Sequence, residues 1–206
     1  MISQRQSEII KMTKIVRRGG IIAFPTETVY GLGVDIFNEK AVKKLFELKG
    51  RDFKKPLSIF VSSLPMLESY VEEIPPVARE LIQKYWAGPL TLVFKASSKV
   101  PRGILAGGNT IGIRMSSHKT INQIVEALGH PMTATSANIS DEPSALTAQE
   151  VRDYFPHGID YIVESSIQKS TVSEGIAVSV ASTVVDVSQR DIKILREGTI
   201  SQAHTI

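Results

Sequence analysis

Ile21-Ile22-Ala23-Phe24-Pro25-Thr26-Glu27-Thr28-Val29-Tyr30-Gly31-Leu32-Gly33 decides how this chain is read. Its first four residues are apolar, with Gly19-Gly20 before them and Pro25 after, and they predict a short buried strand. The hydroxyls of Thr26, Thr28 and Tyr30 and the carboxylate of Glu27 follow at the end of that strand. Gly31 and Gly33 are expected to let the backbone turn tightly or approach a ligand closely. Ligands of open α/β sheets bind in the crevice outside the carboxyl ends of the strands. Farther along stands Lys49-Gly50-Arg51, two cations astride a glycine. A polar strand end followed by a basic turn points to an anionic small molecule.

Working outward, helical and strand periodicities alternate. Ile9, Ile10, Met12, Ile15 and Val16 make a helical stripe over residues 7–18, ended by Gly19. A second helix is expected over 39–48 and a strand over 57–61. Ser63 then caps a helix running to Tyr70, with Pro65 tolerated in its first turn. Pro75-Pro76 opens another helix. Strands are expected over 89–94 and 110–114, flanking a glycine-rich loop over 101–109. Ile121, Ile124, Val125 and Leu128 form a helix that stops at Gly129. A strand from Met132 runs into the polar turn Thr135-Ser136-Ala137-Asn138. Thr147 and Glu150 have capping-box spacing for a helix through Phe155. A short strand at 161–163, a serine-rich loop over 165–180 and a strand pair at 182–187 and 192–196 complete the pattern. It predicts one α/β domain over residues 1–206 with a mixed sheet and no second domain.

Bulk properties narrow the function classes. At 206 residues and 42% hydrophobic, the chain is long and apolar enough for a sizeable core. Lys plus Arg at 24 against Asp plus Glu at 21 gives +3, with a pI near 9.1. Nucleic-acid-binding domains concentrate far more charge in one stripe or patch, so the surplus suits a mildly basic enzyme better. The absence of cysteine excludes a disulfide framework, a thiolate nucleophile and a cysteine zinc site. The first residues lack the apolar core of a signal peptide, and no apolar run approaches the ~20 residues that cross a bilayer. A cytoplasmic protein without membrane contact is expected.

The common nucleotide and nucleophile signatures fail. No G-x-x-x-x-G-K-[ST] occurs, and Gly31-Leu32-Gly33 has Ile36 where a dinucleotide fold needs its third glycine. His118, His130, His157 and His204 lie in unrelated contexts, and Ser136 has no G-x-S-x-G setting. What remains is a set of polar groups at strand ends: Thr28, Lys49, Arg51, Arg114, Ser136, Asn138, Ser182 and Arg196. Singly, each is explained by a surface ion pair or a turn. Cations recurring after apolar strands fit a site that grips phosphates and a carboxylate without a Walker loop.

Seven segments in order carry a family resemblance: Pro25–Gly33, Lys49-Gly50-Arg51, Gly88-Pro89-Leu90-Thr91-Leu92-Val93, Gly112-Ile113-Arg114-Met115, Ser136-Ala137-Asn138, Ser182-Thr183-Val184-Val185-Asp186 and Leu195-Arg196-x-Gly198. Together they closely resemble the YrdC-like threonylcarbamoyl-AMP synthases, over nearly the whole chain. The resemblance implies a twisted mixed sheet with a large concave basic cavity. It also implies a reaction in which L-threonine, bicarbonate and ATP give threonylcarbamoyl-AMP and pyrophosphate. Partner proteins of tRNA threonylcarbamoylation would then pass the group to tRNA. By the resemblance, Lys49, Arg51, Ser136 and Asn138 form the catalytic tetrad. Arg51, Lys55, Thr110, Ser136, Ser144 and Arg196 would hold ATP. Thr28, Tyr30, Arg114 and Ser182 would hold threonine, with Arg114 on its carboxylate. Mg2+ is expected with ATP, and its protein ligands are not assigned.

Three positions depart from the family pattern. Phe60 stands where many members have histidine in the threonine pocket, and Asp52 where many have proline. Asp141 replaces a common glycine, bringing a negative charge near the expected phosphates unless a magnesium ion lies between. Two other functions remain open. One is a paralogue that uses its cationic cavity to contact tRNA or double-stranded RNA, without synthase activity. The other is the carbamoyl-adenylate chemistry of hydrogenase-maturation carbamoyltransferases, disfavoured because their zinc-finger segments need the cysteines this chain lacks.

Overall fold

The apolar runs enter one mixed sheet. A computed structural model describes residues 3–164 and 181–201, so the loop expected over 165–180 falls outside the described residues. The strands are β1 (Ile22–Phe24), β2 (Gly31–Gly33), β3 (Ser58–Phe60), β4 (Leu90–Lys95), β5 (Thr110–Arg114), β6 (Met132–Ser136), β7 (Tyr161–Ile162), β8 (Thr183–Asp186) and β9 (Lys193–Arg196). They lie in the order β7-β1-β2-β6-β3-β5-β4-β8-β9. The pairs β1/β7, β3/β5 and β4/β8 are parallel, and the other pairs are antiparallel. The α/β class and the mixed sheet are therefore as expected, including the terminal β8/β9 pair.

Helices cover both faces. They are α1 (Gln4–Arg17), α2 (Glu39–Lys49), α3 (Leu64–Tyr70), α4 (Pro76–Tyr85), α5 (Arg102–Leu105), α6 (Lys119–Leu128) and α7 (Ala148–Tyr154). Successive strand residues point to opposite faces. Ile22 and Phe24 accordingly join α1 and α6 in one core, through Met12, Val16, Ile121 and Val125. Ala23 joins the larger core, with Leu45 and Phe46 of α2, Leu81 of α4 and Val151 of α7.

Local chemistry sets the helix ends. Ser3 Oγ accepts from Gln6 N at 3.2 Å, so α1 starts before its apolar stripe does. Asn38 and Ser63 cap α2 and α3 in the same way, and Thr147 with Glu150 forms the expected capping box. The loop expected over 101–109 contains the single turn α5, which buries Ile104.

Gly31 and Gly33 correct the expectation of a tight turn. Both lie in β2, paired with β1 on one side, and Gly31 also faces Ser136 of β6. Their service is close approach: a Cβ on Gly31 would sit 2.9 Å from the Phe24 ring, and one on Gly33 2.6 Å from Met132 Sδ. The β1–β2 hairpin thereby carries the turn of residues 25–30 alongside Ser136.

Gly198 is tighter still, because a Cβ there would meet Ala181 O at 2.3 Å and Thr183 N at 2.4 Å, both backbone atoms. Gly198→Ala must therefore push the segment after β9 away from Ser182. Overpacking of this kind costs about 1–3 kcal/mol, or roughly 2–4 °C of Tm per kcal/mol at this size. A melting curve unchanged from wild type would show that this contact yields freely.

Candidate functional site

The turn after β1 is built by its own hydroxyl. Thr26 Oγ1 accepts from the backbone N–H groups of Thr28 (3.0 Å) and Val29 (3.2 Å) and donates to Val29 O at 2.7 Å. Tyr30 N donates to Ala145 O, Ala137 N to Tyr30 O and Ala145 N to Ala137 O, which laces three distant segments together. The Tyr30 hydroxyl donates to Val163 O at 2.9 Å, so its ring lines the cleft beside the turn while its OH is held by the protein.

Lys49 is the last residue of α2 and is 1% exposed. Its Nζ donates to Ser136 O at 2.5 Å, Asn138 O at 2.7 Å and Asn138 Oδ1 at 3.2 Å. All three ammonium protons are thus spent on the turn after β6. Asn138 Oδ1 also accepts from Ser136 Oγ at 2.6 Å, and Asn138 Nδ2 donates to Glu142 O at 2.5 Å. The tetrad expected to be catalytic is brought together, but as two layers: Arg51 and Ser136 line the cleft, while Lys49 and Asn138 lie behind.

Burial, helped by the nearby Arg51 guanidinium, pulls the Lys49 ammonium down from 10.5 to about 7. Its three acceptors favour the charged form and oppose that pull. Since the folded-state value lies below the ordinary one, the ammonium costs stability at low pH. That cost is relieved as pH rises from about 7 towards 10.5. Arg51→Gln removes the like charge, so the Lys49 titration should move to higher pH. An Nζ nitrogen-15 titration reads this directly, and an unmoved midpoint would contradict the coupling.

Three guanidinium groups surround the cleft. Arg51 donates from Nη2 to Pro56 O (2.9 Å) and from Nε to Lys55 O (3.3 Å). The departure at Asp52 is absorbed in this loop, where Asp52 Oδ1 accepts from Lys54 N and Asp52 O from Lys55 N. Arg114 is buried at the end of β5. It donates from Nε to Gly88 O (3.2 Å) and from Nη2 to Thr28 Oγ1 (3.1 Å), and Nη2 pairs with Glu27 Oε1 at 2.9 Å. Phe60 places its ring 5.9 Å below the Arg114 guanidinium carbon, so it offers the cation a face where a histidine would offer a hydrogen bond. Arg196, at the rim, donates from Nη2 to Ser182 O and Oγ, and Ser182 Oγ lies 3.0 Å from Thr91 Oγ1. Burial lowers the Arg51 and Arg196 pKa values; Arg114 lowers Arg196 further, while Asp141 opposes the shift at Arg51. Glu27 is the carboxylate set among these cations. Burial alone would raise it, but Arg114 and the Ser116 hydroxyl leave it below the usual range.

The remaining expected residues lie farther out. Lys55 pairs with Asp141 at 3.2 Å on the exposed rim. Asp141 has φ +71°, the left-handed backbone that glycine adopts freely, which accounts physically for a glycine being common there. Thr110 begins β5 on the same face as Gly112 and Arg114 but does not line the cleft, nor does Ser144, whose neighbour Ala145 bonds Tyr30 and Ala137. Thr26, Ser58 and Thr91 also line the cleft. Thr26 and Thr91 were visible as hydroxyls in quoted segments, whereas nothing in sequence marks Ser58, brought in by its closeness to Gly112. No helix among the described residues is long and apolar enough to cross a membrane.

Comparison with known proteins places this arrangement. The Sua5_yciO_yrdC family model, described as "Telomere recombination", matches residues 14–198. A curated threonylcarbamoyl-AMP synthase of Pyrococcus abyssi is 40% identical over 183 residues, 89% of this chain and 52% of that protein. A crystal structure of P. abyssi Sua5 complexed with L-threonine has a TM-score of 0.85 at 38% identity, covering 93% of this chain and 54% of that one. The crystal structure of E. coli YciO also has a TM-score of 0.85, at 25% identity, covering 98% of this chain and 94% of that one. This chain spans about half the length of the first two. With matching sequence over nearly all its length and a shared sheet, the chain belongs to the Sua5/YciO/YrdC family.

Proposed function

We propose that this chain is an L-threonylcarbamoyl-AMP synthase, which supplies an activated threonylcarbamoyl group for the modification of tRNA in the cytoplasm. One observation carries the proposal: Arg51, Arg114 and Arg196 share a cleft with the Ser136 turn and a row of hydroxyls. The threonylcarbamoyl-AMP synthases among its relatives, and the Sua5 complexed with L-threonine, support the choice of substrates.

Threonine amine and bicarbonate condense to a carbamate with loss of water. A carbamate oxygen then attacks the α-phosphorus of ATP, and pyrophosphate leaves. Such a displacement needs alignment and charge stabilisation and no protein nucleophile. In the proposal Arg114, with Thr28 and Ser182 nearby, takes the threonine carboxylate. Arg51, Ser136 and Arg196 take the phosphates, with Lys55, Thr110 and Ser144 farther along the nucleotide. Magnesium would be held by the ATP phosphates, whose charge it would help neutralise. The cleft lining holds no carboxylate, and among the described residues no group of three or more His, Asp or Glu is set to hold a metal.

Partner proteins of tRNA threonylcarbamoylation would consume the product. The RNA-binding alternative gains no such support, because Arg114 is buried inside the cleft instead of lying on an exposed stripe. Pyrophosphate release, with threonine, bicarbonate and ATP omitted in turn, tests the proposal. Release that ignores threonine or bicarbonate would refute it.

A further inference from the structure

Arg114 is held on more sides than a substrate-binding arginine requires. Nε–H is taken by Gly88 O and Nη2 by Thr28 Oγ1, while Glu27 Oε1, which accepts no hydrogen bond among the described residues, lies 2.9 Å from Nη2 as an ion pair. Nη1 is left as the part of the guanidinium without a partner among the described residues. Glu27 is itself held, because its Oε2 accepts from Ser116 Oγ. Ser116 is fully buried; its Oγ accepts from His118 N at 3.1 Å, and its carbonyl accepts from Asn122 Nδ2 at 2.8 Å. The first turn of α6 is thereby connected, through Ser116 and Glu27, to the guanidinium.

We infer that Glu27 is a positioning residue for the amino-acid end of the cleft: its ion pair to Arg114, braced by Ser116, fixes the guanidinium so that Nη1 meets the substrate carboxylate. This rests on the synthase assignment of the cleft. The physical need is clear from charge. Arg114 is 6% exposed and has Arg196 for a neighbour, so without Glu27 it would be a desolvated cation repelled by another. It would then turn towards whatever acceptor is nearest, and the ligand would have to pay for its return. Glu27 instead holds the orientation before the ligand arrives, which lowers the cost of binding.

Glu27→Gln keeps the shape and removes the charge. By calorimetry it should weaken L-threonine binding about tenfold and leave ATP binding within about twofold. Ser116→Ala should weaken threonine about threefold, since the brace is lost but the pair remains. A second readout is the solvent exchange of the Arg114 Nε–H in NMR spectra, assigned by its disappearance in Arg114→Lys. It should be slow in the wild type and fast in Glu27→Gln. Equal losses for both substrates, unchanged threonine affinity, or Nε–H exchange indifferent to Glu27→Gln would overturn the inference. A wild type that binds no threonine would instead refute the synthase proposal, and the exchange measurement would still decide the role of Glu27.

Discussion

Lys49→Met should give a folded protein whose rate in the proposed synthase reaction is lower by at least about a hundredfold, equivalent to roughly 2.7 kcal/mol of barrier. Methionine copies the length and flexibility of the lysine stem, so the buried site at the end of α2 stays filled. It cannot donate. Ser136 O, Asn138 O and Asn138 Oδ1 all lose their shared donor, and the two carbonyls become buried acceptors without it. Each such loss costs about 1–3 kcal/mol, partly offset because a charge no longer has to be buried. The net change in Tm should therefore be modest while the rate collapses. The turn is what suffers: Ser136 Oγ is aimed by Asn138 Oδ1, and Asn138 is aimed by Lys49. Rate and melting temperature measured on one preparation separate the two effects. If Lys49 merely filled the core, the methionine that fills the same space would spare the rate.

Arg114→Lys should raise the threonine requirement about ten- to a hundredfold, as expected for loss of a charge-assisted contact worth about 1.5–3 kcal/mol, and leave ATP almost untouched. The side chain holds Gly88 O, Thr28 Oγ1 and Glu27, and on the proposed assignment it must serve the substrate carboxylate as well. A guanidinium has five N–H groups in a fixed plane for those four partners, and an ammonium has three on a flexible stem. Lysine must therefore abandon either a protein partner or the ligand. Arg51→Ala should show the opposite selectivity, weakening ATP and lowering the rate, because Arg51 is held by the loop carbonyls of Lys55 and Pro56 and not by the Glu27–Thr28 turn. Separate titrations of threonine and ATP with both variants check the assignment. Equal losses for both substrates, or none, would mean that the two arginines do not divide the site.

Sequence by itself determined the parts list. Strands and helices were legible wherever periodicity or capping is a local matter: Ser63 and Thr147 announced α3 and α7, and Val, Ile and Leu marked β4 and β5. So were the types of chemistry, because cations and hydroxyls recur at the ends of apolar elements. Tertiary structure alone decided which way those groups turn and whom they meet. Lys49 reaches Ser136 across 87 residues of chain, and Arg114 reaches Thr28 across 86, distances at which no spacing rule operates. The same limit hid the strand identity of Gly31 and Gly33, which have no side chain to show a period and are strand residues because β1 pairs with both and β6 with Gly31. It hid Glu27 as well: next to two threonines it reads as one more polar group, and only the fold sets it against a buried guanidinium. Local backbone preference is written in neighbouring residues, whereas the partners of a buried charge are fixed by desolvation, which exists only once the chain has closed around it.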